Sequence, residues 1–364
     1  MGRRLDPLGG DALNLLGVLE DAGELTREEV FFFVVQFEPR QACDAFDVDA
    51  RKPVAHRGML SRHRSTQIHT GHRNTPTNTD DYHMAIRPAA VAGTWYPAIP
   101  GALIRDVDAY LNAAATGPTG QLRAIIAPHA GLMFSGPVGA YAYKATAGGD
   151  FDVAVLVGPS HFVGFEGAAL WPDGAFDSPL GPARVDEAGA RALAQSPIVQ
   201  PLPSAHRREH SLEMQLPFLR RLHPELPIVP VLIGFQRRET IDALADAIVH
   251  AFAGRRALLV ASTDLSHYFD AKTAATLDAR VQERINAFDA EGLLDLFEQY
   301  PEHERGRYVA CGGGAAIAVM KAARALGATG GRVLKYAHSG DVSGDYDGVV
   351  GYLAAALGTF GDAH

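Results

Sequence analysis

The chain is poor in cysteine, with only Cys43 and Cys311 among 364 residues. Two thiols cannot staple a chain of this length, so a secreted disulfide framework is excluded and a reducing, cytoplasmic compartment is expected. Positive charge is also scarce: 33 Lys and Arg stand against 42 Asp and Glu, for a formal charge of −9. Without clustered cations there is no electrostatic footprint for a phosphate backbone, and nucleic acid is not an expected partner. Long apolar runs are missing. The stretch 30–37 is too short to span a bilayer and has charge on both sides. Asp6, Pro7 and Asp11 interrupt the opening residues where a signal peptide needs an apolar core, and Asp6 occupies the Ser/Thr position of a myristoylation signal. The protein is expected to be soluble, with no membrane partner. No phosphate loop, dinucleotide fingerprint or Gly-x-Ser-x-Gly elbow occurs in a fitting context, since Gly312-Gly313-Gly314 follows a cysteine and lacks the spacing.

What is present is the material of a globular protein. Hydrophobic residues make up 47% and charged residues 21%, enough for a large core, and 38 Gly with 22 Pro suit a turn-rich α/β fold. Residues 1–83 stand apart. Segments 13–19 and 28–37 have the pattern of a short helix and of a strand or helix, but 51–78 is rich in Arg, His and Thr with no apolar period, which predicts a disordered linker. Met84-Ala85-Ile86-Arg87-Pro88-Ala89 looks like a natural beginning, so residues 1–83 are either a real, partly disordered appendage or an over-long gene model. Residues 84–364 form the expected domain. There, apolar runs at 122–127, 152–157, 228–233, 257–261, 333–336 and 349–353 alternate with helical patterns near 101–115, 136–147, 186–195, 216–223, 239–253, 273–288, 290–300 and 313–326. That alternation predicts βαβ units, hence a single α/β domain with a mostly parallel or mixed central sheet flanked by helices.

Three of the strands run into a histidine: Pro128-His129-Ala130-Gly131, Gly158-Pro159-Ser160-His161, and Thr263-Asp264-Leu265-Ser266-His267. A lone loop histidine beside Gly or Pro is most often a solvated turn residue. Three at the carboxyl ends of parallel strands, where open sheets place their functional crevice, point to one cluster. His83, His206, His223, His250, His303 and His338 lack this context. Cys311 precedes Gly312-Gly313-Gly314 and an apolar helix, and a sulfur at a helix amino terminus suits metal ligation or nucleophilic attack. The competing reading is a small buried residue at a tight turn. Asp264 either orients an imidazole through its ring N–H or merely caps the next helix. His210, within Glu209-His210-Ser211-Leu212-Glu213, is placed to relay protons or to cap the helix after it. Imidazoles with a soft thiolate prefer iron, copper or zinc to magnesium or calcium, and a three-ligand site leaves positions open to substrate or dioxygen.

Taken together, Arg87-Pro88, Ala92-Gly93-Thr94-Trp95-Tyr96-Pro97, the three histidine motifs, Ser135-Gly136, Glu209-His210-Ser211-Leu212-Glu213, Cys311-Gly312 and Ser339-Gly340-Asp341 resemble the Memo family, also called AmmeMemoRadiSam system protein B. The resemblance covers essentially all of 87–356. It implies a fold similar to class III extradiol dioxygenases and a pocket for iron or, alternatively, copper. Carried over residue by residue, it implies His129, His161 and Cys311 as metal ligands, with Asp264 and His267 lining the same pocket. Cys311 would stand where a dioxygenase completes its triad with a carboxylate, so ring cleavage does not follow from the resemblance. The family's prokaryotic members imply radical SAM and AMMECR-type protein partners.

Three functions are expected from these residues. The first is a metal-dependent redox protein, with His267, Asp264 and His210 as the acid/base and tuning residues. The second is a metal-independent module that binds a small molecule, a peptide or a protein in the same pocket. The third is a Cys311 nucleophile with a histidine base, for which no oxyanion-hole signature is present.

Overall fold

Four strands of almost unbroken apolar sequence set the architecture. In the computed structural model, which describes residues 86–361, these are β2 (Gly120–Ala127), β3 (Val153–Pro159), β8 (Ile228–Ile233) and β9 (Ala257–Ser262). Every residue of β3, β8 and β9 is buried, as is required of parallel strands covered on both faces. They lie side by side in the order β2-β9-β3-β8, all parallel. The expected short helix at 13–19, strand or helix at 28–37 and linker at 51–78 lie outside the described residues.

The sheet is mixed beyond this core. β12 (Val349–Phe360) pairs antiparallel with β2, and carries β11 (Gly330–His338) and β10 (His267–Phe269), also antiparallel. On the other side β4 (Ala168–Leu170) runs antiparallel to β8, and β7 (Val199–Pro201) pairs with β4. Three short strands, β1 (Ile86–Arg87), β5 (Ala175–Phe176) and β6 (Ala183–Arg184), form a separate small sheet. The expected α/β class with a mostly parallel, helix-flanked sheet is what the chain adopts.

The five longest helices among the described residues are α1 (Pro100–Ala113), α2 (Leu132–Lys144), α3 (Arg238–Phe252), α4 (Ala271–Asn286) and α5 (Gly313–Ala325). α5 is nearly all Ala, Gly and aliphatic residues and is buried on most of its circumference, packed between α3 and β9. α2 begins a turn earlier than the expected start at 136. The Leu132 N–H is taken by the Trp95 carbonyl at 2.8 Å, and the Phe134 N–H by Gly131 O at 2.8 Å, so the first turn is already closed ahead of Pro137. No helix among the described residues is long and apolar enough to cross a membrane.

One buried ion pair ties the first described residues to the sheet. The guanidinium of Arg87, with no solvent exposure, donates to Glu213 Oε2 at 2.6 Å, to His206 O at 2.7 Å and to Glu209 O. Glu213 also accepts the N–H groups of Ala90 and Val91 at 2.7 and 2.9 Å and the Tyr96 hydroxyl at 2.8 Å. A buried pair is retained only when its remaining donors and acceptors are satisfied, and here they are. The consequence is positional: the loop carrying Glu209 and His210 is locked against the segment carrying Trp95.

Candidate metal centre

The carboxyl ends of β2, β3 and β9 open on one pocket, and the three expected histidine loops meet there. His129 follows β2, and its imidazole is 2% exposed. Its Nδ1 lies 2.8 Å from the hydroxyl of Ser262, the last residue of β9. That hydroxyl donates its own hydrogen to Ser211 O at 2.6 Å and accepts the Gln215 side-chain N–H at 2.8 Å. A hydroxyl has one hydrogen and two lone pairs, so Ser262 has only an acceptor position left for His129. The ring proton is therefore on Nδ1, and Nε2 turns its lone pair into the pocket, 3.2 Å from Cys311 Sγ.

His161 is held by the same logic with a carboxylate in place of the hydroxyl. Glu209 Oε1 is 2.9 Å from its Nδ1, while Glu209 Oε2 accepts its main-chain N–H at 2.6 Å. With Nδ1 taken by Glu209, Nε2 is the nitrogen left for a ligand, and the ring stands 5.2 Å from that of His129. Burial pulls this imidazole down, but the charge of Glu209, the hydrogen bond to Cys311 and that to Glu209 carry it up to about 10. Glu209 is held well below the usual carboxylate range: burial opposes this, and His161 outweighs it.

His210 joins the cluster. The ring stacks on His161 with centroids 4.5 Å apart and lies 4.3 Å from the Trp95 ring. One nitrogen from each of His129, His161 and His210 can be chosen so that all three lie within 4.8 Å of one another. Its Nδ1 is buried without a hydrogen-bond partner, 3.6 Å from Glu209 Oε1 and outside bonding reach. Burial first, then the neighbouring His161, depresses His210 to about 3, and the same two causes drive His129 far below its usual value. Two imidazoles kept neutral beside a thiol form a donor set that suits a transition-metal ion, and the orphaned nitrogen is the kind of atom a cation satisfies.

Cys311 reaches the pocket because Gly312 has no side chain. A Cβ there would meet Ser262 O at 2.3 Å and Thr263 Cβ at 2.9 Å. The glycine lets the loop before α5 press on the end of β9, where Gly312 N–H donates to Thr263 Oγ1 at 2.9 Å and Gln236 holds Cys311 O at 2.7 Å. The Asp264 N–H points at the sulfur from 3.3 Å.

Asp264 and His267 sit in the same place by different means. Asp264 Oδ1 accepts the main-chain N–H of His129 at 2.8 Å. The ring contact expected of it is made by Ser262, and the helix-cap alternative falls to Asp270, which caps α4. Burial raises Asp264 to about 7 against the opposing His129 N–H. His267 opens β10, and burial lowers it to about 4, with His161 adding to the effect. Its neighbour Tyr268 has φ of +63° at an irregularity in the β10–β12 pairing. A bulky residue in the left-handed region stores backbone strain, and such strain collects at functional sites.

Five of the six residues singled out from the sequence thus come into contact, and His267 stands within electrostatic reach of His161 and His129. Sequence reasoning missed what holds them: Ser262 and Gln215 behind His129, and Glu209 as the clamp on His161. Only Glu209 left a signal, as the acidic neighbour of His210. Of the histidines without a strand-end context, His206 is buried, with its Nε2 3.2 Å from Ala169 O.

Comparison with known proteins places these features in a wider group. A family model described as Memo-like protein matches residues 87–356. A MEMO1 family protein of Methanopyrus kandleri is 38% identical over 74% of this chain and 97% of its own length. Another from Methanothermobacter thermautotrophicus is 36% identical over 73% of this chain and 98% of its own, and one from Thermotoga maritima 34% identical over 74% and 99%. Among solved structures, an uncharacterized protein from Escherichia coli K12 overlays with a TM-score of 0.45 at 14% identity, covering 65% of this chain and 100% of that one, a likeness too loose to bear on function.

Proposed function

The chain belongs to the Memo-like family, and from that premise we propose that the pocket is a mononuclear iron or copper centre in a cytoplasmic redox protein of extradiol-dioxygenase-like fold. His129, His161 and Cys311 are its ligands, with His161 giving up its Nε2 proton on loading, and His210 stands ready as a fourth donor. The observation that carries this reading is the pair of Nδ1 clamps. Ser262 and Glu209 occupy the Nδ1 of two imidazoles, which leaves both Nε2 atoms for a ligand, that of His129 3.2 Å from the sulfur. Oriented imidazoles with the far nitrogen tied to a carboxylate or hydroxyl are the usual support of a metal site.

A bound metal would supply Lewis-acid and one-electron chemistry at open coordination positions. The chain's own residues do the rest. Neutral His267 accepts a proton from a substrate hydroxyl in the pocket, and Asp264, poised near neutrality, holds or releases one beside it. His210 and Trp95 wall the side of the pocket formed by the Arg87-locked loop. The partners proposed with it, radical SAM and AMMECR-type proteins, rest on the family resemblance alone.

The test is spectroscopic. The full chain loaded with cupric or ferric ion should show a thiolate-to-metal charge-transfer band that vanishes in Cys311→Ser. A loaded protein with no such band would contradict the ligand assignment, and a partner captured equally by loaded and chelated protein would favour the metal-independent binding module.

A further inference from the structure

At the opposite, amino-terminal edge of the sheet lies a second cavity of about 580 Å³. That volume is within the range of small-molecule sites, roughly 300–1,000 Å³. It is separated from the histidine pocket by the length of β2, whose first residue, Gly120, lines it, so the two are about 25 Å apart. Its walls are two glycine-rich turns, 116–120 and 147–149, with Leu122 and Phe151 as apolar surface and Arg123, Lys144 and Arg256 as charge.

The walls are held by close approaches that only glycine allows. A Cβ on Gly117 would meet Ala145 Cβ at 2.5 Å, and one on Gly149 would meet the Phe151 ring at 2.3 Å. The charge is not balanced. Arg256 is matched by Asp150 and Asp152. Arg123 and Lys144 have no carboxylate partner among the described residues: Lys144 Nζ donates to Leu111 O at 3.1 Å, and Arg123 Nε is buried with no partner. A buried guanidinium nitrogen left unpaired costs free energy, so two uncompensated cations on one cavity are unusual in a chain of net charge −9.

We propose that this cavity is a binding site for a phosphorylated small molecule, with the phosphate on Arg123 and Lys144 and the body of the ligand against Leu122 and Phe151. A phosphate monoester carries about −1.5 to −2 charges at neutral pH, which matches two cations without a carboxylate partner better than a single carboxylate does. The guanidinium fork and a point-charge ammonium are the two side-chain devices that recognise it. The proposal does not depend on the metal reading, because neither cation touches the histidine pocket.

Calorimetric titration of the full chain at constant ionic strength, with inorganic phosphate, phenyl phosphate and succinate as probes, tests it. One phosphate should bind per chain, phenyl phosphate should bind more tightly, and succinate should bind more weakly than either. Arg123→Gln and Lys144→Gln should each weaken phosphate by about tenfold or more, the loss of one charge-assisted hydrogen bond, while metal content stays unchanged. Arg238→Gln, which removes a half-buried cation of α3 paired with Asp295 and Glu298 away from this cavity, should leave binding intact. No saturable phosphate binding by the wild-type chain would overturn the proposal. So would binding that both variants retain, succinate binding as tightly as phosphate, or phenyl phosphate binding no more tightly than phosphate. If Arg123→Gln fails to fold, Lys144→Gln decides alone, since that side chain makes only one backbone contact at the end of α2.

Discussion

Ser262 decides which nitrogen of His129 faces the pocket. Its hydroxyl donates to Ser211 O, accepts from Gln215, and so can only accept from His129. Ser262→Ala removes that constraint without removing a ligand. Metal affinity should fall about 10–100-fold, the usual cost of losing a support behind a ligand, with Ser262→Thr restoring much of it. A competition titration against a chromophoric chelator measures this, and unchanged affinity in the alanine variant would show that the tautomer is set elsewhere. This residue also marks the limit of reading the sequence. His129, His161, His267, Asp264 and Cys311 were legible because each sits at a strand end or a helix start. Ser262 was not, because its partner lies 133 residues away and a serine closing an apolar strand carries no local signal. The Glu209 clamp, 48 residues from His161, was hidden in the same way.

The elements position the site through contacts between segments that pattern alone does not pair. The long apolar strands and the helices were legible, since burial on both faces writes a continuous apolar run and an amphipathic helix writes a period. The two- and three-residue strands β1, β4, β5, β6, β7 and β10 were not, being too short to carry any period. Their placement depends on ties such as Arg87 to Glu213. Glu213→Ala would leave Arg87 buried and unpaired and strand the N–H groups of Ala90 and Val91. The expected destabilisation is about 3–5 kcal/mol, read as a shift in the urea midpoint with an unchanged slope. A loss below about 1 kcal/mol, the range of surface pairs, would mean that the pair does not lock the 87–96 segment.

For the whole molecule, a histidine outside the pocket adds its share to the acid sensitivity carried by His129, His210 and His267. Burial first, then Arg87, lowers His206 to about 3, with its ring 5.9 Å from that of Phe176 and its Nε2 on Ala169 O. In the unfolded chain the same imidazole titrates near 6.5. The unfolded state therefore binds more protons between those values, and stability is full above about pH 6.5 and declines as pH falls toward 3. His206→Gln should make the fall of the urea midpoint across that window shallower, with His129, His210 and His267 still contributing. A variant whose midpoint falls with pH as steeply as that of the wild-type protein would assign the acid lability to other groups.

The central claim is that the pocket at the strand ends holds one transition-metal ion on His129, His161 and Cys311. The most direct measurement is metal content by mass spectrometry on the full chain purified without air, beside His129→Ala and Cys311→Ser. Near-stoichiometric iron or copper is expected in the wild-type protein, with a clear loss in both variants, each still folded by circular dichroism. A wild-type protein that stays empty and refuses added metal, or a His129→Ala variant that keeps its full complement, would contradict it.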